Sequence, residues 1–144
     1  MRIRDVLRAK GSAVATVTAT TTVTAFLAEL AVHNIGAMVV IGPDGILGIV
    51  SERDVVRRLH TYGPDLLHRP VGEIMTTEIV TCSPDDRVDD LAAVMTNNRA
   101  RHVPVLDGGR LVGIVSIGDV VKNRMEELQT EQQQLQAYIT QSGS

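Results

Sequence analysis

A serine followed three residues later by an aspartate occurs twice in the chain, as Ser51-Glu52-Arg53-Asp54 and as Ser116-Ile117-Gly118-Asp119. Each stretch stands before an apolar run of helical spacing, where a serine and an acid at this distance form a capping box. The same groups suit a ligand, because a carboxylate offers two acceptor oxygens to adjacent ribose hydroxyls and helix-start amides attract phosphate. The pattern therefore predicts either two helix caps or two caps that also bind a nucleotide.

Two further features favour a ligand at these junctions. Gly48 and Gly113 stand just upstream, where a missing side chain leaves room for a flat group or for a close backbone. Arg53 stands in the first helical turn. A cation there interacts unfavourably with the helix dipole, which costs about 0.3–1 kcal/mol unless an anion is nearby. A structural cap alone does not call for an arginine there. The resulting hypothesis is a ribose bound by the carboxylate and a phosphate bound at the helix start.

The elements that position these junctions are repeated along the chain. A shift of 65 residues aligns Ala15–Val56 with Val80–Val121 without a gap. Before that block the offset changes by three, so that Val6-Leu7 matches Ile74-Met75. A repeat of this length is one supersecondary unit, and two copies predict two units that bury a common face.

Each unit is predicted to follow the order β-α-β-β-α, which gives an α/β (α+β) fold. The hydrophobic periodicity and the turn residues place three short strands in each unit, with one helix between the first and second strands and another after the serine. The predicted strands are Ala15–Val17, Met38–Ile41 and Ile46–Val50, then Ile79–Cys82, Val103–Leu106 and Arg110–Val115. Prolines and a glycine mark a linker between the units. We divide the chain into a first repeat (residues 1–61), a linker (62–70), a second repeat (71–125) and a carboxy-terminal helix and tail (126–144).

The carboxy-terminal helix carries an apolar seam that runs past the repeat. Its apolar residues follow the a/d spacing of a coiled coil, with an interruption at Gln132. They are Val121, Met125, Leu128, Leu135 and Ile139. This spacing predicts a helix that lies across its own domain or across a dimer mate, with a short coiled coil as the second interpretation. We expect a homodimer in preference to a binding site for a different protein.

Composition excludes several classes of function. The net charge of −3, the pI of about 5.7 and the 2% aromatic content give no case for nucleic acid as a partner. The lone Cys82 excludes an internal disulfide, and no run approaches the roughly 20 apolar residues of a membrane span. We expect a cytoplasmic protein without a membrane partner. The histidines lack metal-ligand spacing, and no P-loop or nucleophile–base pair is present, so we expect neither a metal site nor an enzyme.

The junctions and their surroundings resemble a pair of cystathionine-β-synthase-type (CBS) domains, a tandem often called a Bateman module. The resemblance rests on Gly48–Asp54, Gly113–Asp119, Thr81–Pro84 and Arg101–Val105, and it covers about residues 1–125. It implies two repeats related by pseudo-twofold symmetry, with two clefts between them. It also implies that an adenosine-containing molecule binds there, such as AMP, ADP, ATP, NAD or S-adenosylmethionine, and not a catalytic cofactor.

The resemblance also implies roles for single residues. Asp54 and Asp119 would bind ribose hydroxyls, Ser51 and Ser116 would bond ribose or phosphate, and Arg53 would meet phosphate. The residues that would line the adenine slots are Thr16, Val17, Thr18, Ala37, Met38, Thr81, Cys82, Ser83, His102 and Val103.

The two junctions differ in one position that bears on the ligand. Gly118 stands in the second copy where Arg53 stands in the first. We therefore expect the two clefts to differ in phosphate preference, with phosphate required beside Asp54 and other groups tolerated beside Asp119. His102 or Arg101 could supply a charge in place of the missing arginine.

The leading hypothesis is a stand-alone regulatory module. It would sense an adenine nucleotide and signal to an unidentified partner protein through a conformational change. One alternative is a structural dimeric adaptor whose nucleotide sites are vestigial and whose carboxy-terminal helix does the binding. A less favoured alternative is a nucleotide-hydrolysing enzyme. The ranking of the nucleotides, and whether one cleft or both are filled, stay open.

Overall fold

Two small sheets and five α-helices make up the part of the chain that the computed structural model describes, residues 1–11 and 14–142. Residues 12 and 13 of the predicted first repeat and residues 143 and 144 of the predicted tail lie outside it. In chain order the elements are α1 (Ile3–Lys10), β1 (Thr16–Thr18), α2 (Val23–His33), β2 (Ala37–Gly42), β3 (Gly45–Ser51), α3 (Glu52–Tyr62), 3-10 helices at Gly63–His68 and Val71–Glu73, α4 (Val88–Asn98), β4 (His102–Asp107), β5 (Arg110–Ser116) and α5 (Ile117–Ser142).

The first sheet contains the three strands predicted for the first repeat. Strand β1 pairs parallel to β2, and β2 pairs antiparallel to β3 with Val40 opposite Gly48. The alternation of side chains turns Val17 and Val50 into the core, where they pack with the fully buried Phe26 of α2. The sheet thus ends with Ser51 at the start of α3.

The second sheet repeats this geometry with two strands. Strands β4 and β5 pair antiparallel with Val105 opposite Gly113, the position equivalent to Val40 and Gly48. The strand predicted over Ile79–Cys82 is wrong, because Cys82 forms only an isolated parallel bridge to Val105.

Proline explains the missing strand. Pro104 stands where β2 has Val39, which pairs with β1 in the first sheet. Proline has no backbone N–H to donate to a neighbouring strand. Among the described residues, only two backbone hydrogen bonds of the ladder form, and both involve Cys82. The Cys82 N–H donates to the Pro104 carbonyl at 3.0 Å, and the Leu106 N–H donates to the Cys82 carbonyl at 2.8 Å.

The two hydrophobic cores exchange their opening segments. Helix α1, the opening segment of the first repeat, buries Ile3, Val6 and Leu7 in the core of the second repeat. The opening segment of the second repeat buries Val71 and Ile74 in the core of the first. Each core is therefore completed by residues from the other half of the chain.

The segment predicted as a linker is packed against the first repeat. Leu66, in its 3-10 helix, is fully buried in the first core. Arg69 stacks over the ring of Tyr62 at 4.0 Å and forms ion pairs with Asp65 and Glu73. The chain between the repeats thus follows a defined path along α2 and α3.

Helix α5 extends well beyond the second repeat. The residues of its predicted seam are between 48% and 59% exposed in the single chain, namely Val121, Met125, Leu128, Leu135 and Ile139. None of the helices in the described residues combines the length and apolar character needed to cross a membrane. The fold class expected from the sequence, two mixed α/β repeats followed by a helical extension, is confirmed.

Candidate functional site

Both Ser-x-x-Asp junctions form helix caps. At the first, Ser51 N donates to Asp54 Oδ2 at 2.9 Å and Asp54 N donates to Ser51 Oγ at 3.3 Å. At the second, Ser116 N donates to Asp119 Oδ2 at 2.8 Å and Asp119 N donates to Ser116 Oγ at 3.2 Å. The capping prediction is confirmed at both places, and each cap leaves one carboxylate oxygen outside the box.

A cleft of about 490 Å³ opens at the first junction, between the two repeats. Most of its lining comes from three segments: the start of α3, residues 76–80, and the turn between α4 and β4. The volume lies within the roughly 300–1,000 Å³ of small-molecule sites. Among the predicted site residues, the cleft brings together Ser51, Arg53, Asp54 and His102.

Gly48 allows the segment that contains Thr76, which forms one wall of the cleft, to pack closely against β3. A Cβ atom at Gly48 would lie 2.4 Å from the carbonyl oxygen of Thr76. Backbone hydrogen bonds between Ile49 and Thr76, at 3.0 and 2.8 Å, join the two segments. The Thr76 hydroxyl then donates to Asp54 Oδ1 at 3.4 Å. Gly48 thus serves a close backbone approach, one of the two roles considered for it.

Four arginines line the cleft, two on α3 and two at the start of the second repeat's hairpin: Arg53, Arg57, Arg99 and Arg101. Within the described residues, none of them forms an ion pair or a side-chain hydrogen bond. The positive charge of Arg101, and then that of Arg57, lowers the pKa of Arg53. The cleft therefore brings four cations together beside three carboxylates, those of Glu52, Asp54 and Glu78.

Sequence reasoning missed two of these arginines. Arg57 stands one helical turn after Arg53, so the i,i+4 spacing on α3 could have revealed it. Arg99 ends α4 in the left-handed conformation, with φ of 54°, which arginine rarely adopts. Nothing local in the sequence marks Arg99 as part of this site.

His102 lies at the edge of the same cleft, at the start of β4. Burial, and then the positive charge of Lys10, lowers the pKa of His102. Its ring is therefore neutral at pH 7 and offers one donor and one acceptor to a ligand.

A second groove adjoins the cleft along α3. It has a volume of about 480 Å³ and shares Asp54, Arg57, Thr76 and Glu78 with the cleft. Arg58 and Thr61 form its outer side. The two spaces meet at Asp54, so a ligand held there has room in both directions.

The second junction is arranged differently. Lys10, the last residue of α1, donates from Nζ to Asp119 Oδ2 at 2.6 Å and to the carbonyl of Ile114 at 2.7 Å. Neither Ser116 nor Asp119 lines the cleft or the groove. Burial acts to raise the pKa of Asp119, but the hydrogen bonds from Lys10 and Ser116 outweigh it and lower the pKa.

The remaining predicted site residues lie outside the lining of the cleft. Val17, Ala37, Met38 and Val103 are buried, whereas Thr16 and Thr18 are exposed on β1. Residues Thr81, Cys82 and Ser83 directly follow the wall formed by residues 76–80. Their assignment to adenine slots stays a prediction.

Cys82 is a half-buried free thiol whose surroundings disfavour the thiolate form. Burial, and then the negative charge of Asp86, raises its pKa to about 12. Its Sγ lies 3.7 Å from the carbonyl oxygen of Pro104. In the described part of the chain, no group of three or more His, Cys, Asp or Glu side chains could hold a metal ion.

Comparisons with known proteins identify the family. Residues 3–61 and 71–126 each match the CBS domain. A curated relative, the mitochondrial CBS domain-containing protein CBSX3 of Arabidopsis thaliana, is 37% identical over 95% of this chain and 71% of its own. The crystal structure of the CBS-domain containing protein ATU1752 from Agrobacterium tumefaciens is 41% identical, with a TM-score of 0.82, and covers 86% of this chain and 99% of its own.

A third comparison concerns a structure solved with ligands. The CBS domain pair of protein MJ0100, in complex with 5′-methylthioadenosine and S-adenosyl-L-methionine, has a TM-score of 0.77 over 88% of this chain and 98% of its own. At 24% identity, this likeness concerns the fold. With two matched repeats and close relatives along most of its length, the chain belongs to the CBS-domain family.

Proposed function

We propose that the chain is a regulatory module that binds an adenine nucleotide in the cleft at Asp54 and signals to a partner protein by a conformational change. One observation carries the proposal: four arginines that form no ion pair among the described residues line a cleft together with a carboxylate that is fixed by a helix cap. The ligands of the MJ0100 domain pair support an adenosine moiety. Those ligands carry no phosphate, whereas the arginines of this chain favour AMP, ADP, ATP or NAD.

In this proposal, different residues of the cleft bind the sugar and the phosphates. Asp54 Oδ2 is engaged by Ser51, which leaves Oδ1 to accept from the ribose hydroxyls in place of the weak bond from Thr76. The guanidinium groups of Arg53 and Arg101 would bind the phosphates through charge-assisted hydrogen bonds. The adjoining groove adds space beside the proposed ribose position, and this space favours the larger ligands, ATP and NAD.

Signalling requires that the ligand bind two conformations with different affinity. The cleft supports such a difference because its walls come from both repeats, with Arg53 and Arg57 on one and Arg99 and Arg101 on the other. An anion that bridges these groups draws the repeats together. A ligand that touched only one repeat would leave their packing unchanged.

Homodimerisation through α5 is part of the same proposal. The apolar seam of this helix is about half exposed in the single chain, and a second copy would cover it. The same exposed seam favours the second candidate function, a structural adaptor that captures another protein without regard to nucleotide. Deletion of residues 126–144 tests the adaptor, for which it should abolish capture of the partner while nucleotide has no effect on that capture.

Calorimetric titration tests the proposed function. AMP, ADP, ATP, NAD and S-adenosylmethionine are each titrated into wild type, Asp54→Ala and a control variant, Asp90→Ala, whose carboxylate is exposed on α4. We expect the phosphate-bearing nucleotides to bind wild type and the control, and Asp54→Ala to abolish this binding. Equal binding by all three proteins would place the ligand elsewhere, and no binding to folded wild type would leave the adaptor function.

A further inference from the structure

At the second junction, the ammonium group of Lys10 pairs with the carboxylate of Asp119, the group that a ligand would have to bind there. Lys10 Nζ bonds both the carboxylate and the carbonyl of Ile114, with distances of 2.6 and 2.7 Å. The two side chains are only 32% and 22% exposed. The ammonium group therefore lies inside the junction, where it contacts the end of β5 and the start of α5.

The first junction has no such cation. Asp54 accepts only from Ser51 and from the hydroxyl of Thr76 among the described residues. Its open oxygen faces a cleft, whereas the carboxylate of Asp119 is already neutralised by a charge of opposite sign. The two caps have the same geometry. They differ in the side chain that the opening segment of the other repeat places beside each cap.

That group has opposite charge in the two halves of the chain. The match of Val6-Leu7 with Ile74-Met75 places Lys10 opposite Glu78. Glu78 lines the cleft at Asp54, and an acidic side chain cannot pair with the Asp54 carboxylate as a lysine could. At the second junction the equivalent position carries the lysine that pairs with Asp119.

The fold holds Lys10 in place. Helix α1 buries Ile3, Val6 and Leu7 in the second core. A Cβ atom at Gly113 would lie 2.5 Å from a methyl carbon of Leu7, so the helix packs directly on β5. Lys10 is thus presented from a packed helix, and its carbonyl partner, Ile114, belongs to the strand on which that helix lies.

We propose that Lys10 is an intramolecular substitute for a ligand at Asp119, so that each chain binds one nucleotide, at the Asp54 cleft. The proposal rests on the function proposed above, because it specifies which of two equivalent junctions that function uses. It makes Lys10 the residue that determines the number of sites per chain.

Titration of ATP and AMP into wild type and three variants tests this assignment. Lys10→Met removes the charged ammonium group and keeps a linear side chain that is one atom shorter. Arg8→Met is the matched control, since Arg8 is an exposed cation on the same helix. We expect one site per chain in wild type and in Arg8→Met, and two sites in Lys10→Met. The additional site should disappear in the double variant Lys10→Met/Asp119→Ala. Thermal unfolding confirms that each protein is folded, and Lys10→Gln replaces Lys10→Met if the latter is not.

The outcomes separate this inference from the proposed function. Two sites in wild type, one of them lost in Asp119→Ala, would overturn the inference and leave the nucleotide-binding function intact. A single site in Lys10→Met would also overturn the inference. No site in wild type together with one in Lys10→Met would overturn binding at Asp54 and support the role of Lys10. Absence of binding to both proteins would overturn both proposals.

Discussion

Arg53 and Arg101 belong to different repeats and line the same cleft, and the charge of Arg101 lowers the pKa of Arg53 more than any other group does. This repulsion crosses the boundary between the repeats, and it is part of what leads us to propose an anionic ligand for the cleft.

Replacement of Arg101 should therefore reduce the affinity for a nucleotide more strongly the more phosphate groups that nucleotide carries. We expect Arg101→Gln to reduce the affinity for ATP roughly 10- to 100-fold, because hydrogen bonds to charged groups contribute about 1.5–3 kcal/mol. Adenosine should bind both proteins alike, and calorimetry measures both ligands. Arg110→Gln, at an exposed position of the β4–β5 turn, is the control for net charge. Parallel losses for ATP and adenosine would mean that Arg101 shapes the cleft without contacting phosphate.

The close approach at Gly48 makes a stability prediction. Gly48→Ala places a methyl group 2.4 Å from the Thr76 carbonyl, so we expect a loss of about 1–3 kcal/mol, the usual range for overpacking. Gly118→Ala is the matched control: its nearest neighbour is 3.6 Å away, and alanine is favoured over glycine in a helix by about 1 kcal/mol. Urea unfolding measures both. Equal stability of the two variants would show that the segment at Thr76 yields easily.

The missing strand of the second repeat should respond to a single substitution. Pro104→Val supplies a backbone N–H where the first sheet has Val39. In a parallel ladder this donor faces the carbonyl of Val80, two residues before Cys82. We expect slower amide exchange around Cys82 than in wild type. Unchanged exchange there, with the protein folded, would assign the short pairing to the turn at Ser83 and not to proline.

The ion pair of Lys10 predicts a specific pH dependence. Because the folded protein lowers the pKa of Asp119, the carboxylate stabilises the fold above its unfolded pKa of about 3.9. This stabilisation is lost as the pH falls through the lower, folded value. Lys10→Met should therefore be less stable than wild type at pH 7, and the difference should vanish in acid. A constant difference from pH 7 to pH 3 would contradict the ion pair; urea unfolding at each pH provides the data.

The exposed seam of α5 predicts a dimer that charge disrupts. Light scattering should give twice the chain mass for wild type and the chain mass for the double variant Leu128→Glu/Leu135→Glu. Both leucines are about half exposed in the single chain. Gln129→Glu/Gln136→Glu adds the same charges one position further along the helix and should stay dimeric. Monomeric wild type at micromolar concentration would remove α5 from the dimer interface.

Local patterns in the sequence were sufficient for the caps and most strands. The serine and aspartate of each cap are three residues apart, and the turn at Gly45 and the alternation along β2 and β3 act over similarly short distances. The strand at Ile79–Cys82 failed because its pairing depends on Pro104, a residue more than 20 positions away. The strand propensity of a segment does not show whether its partner strand has the backbone N–H groups needed for pairing.

The site was less predictable because its parts are distant in the chain. Arg53 and His102 could be placed through the resemblance, but Arg99 points to the cleft only because α4 ends in a left-handed residue. Lys10 and Asp119 are separated by 109 positions. No periodicity indicates such a pair, since it arises from the packing of α1 on the other repeat.

The exchange of opening segments between the cores has a consequence for biosynthesis. When residues 1–61 have left the ribosome, the first core still lacks Val71 and Ile74, and the apolar side of α1 has no surface to bury against. The first core can therefore close once residues 71–75 have been translated, whereas α1 cannot bury its apolar side until β5 has been translated. We expect the first repeat to become resistant to proteolysis before the second.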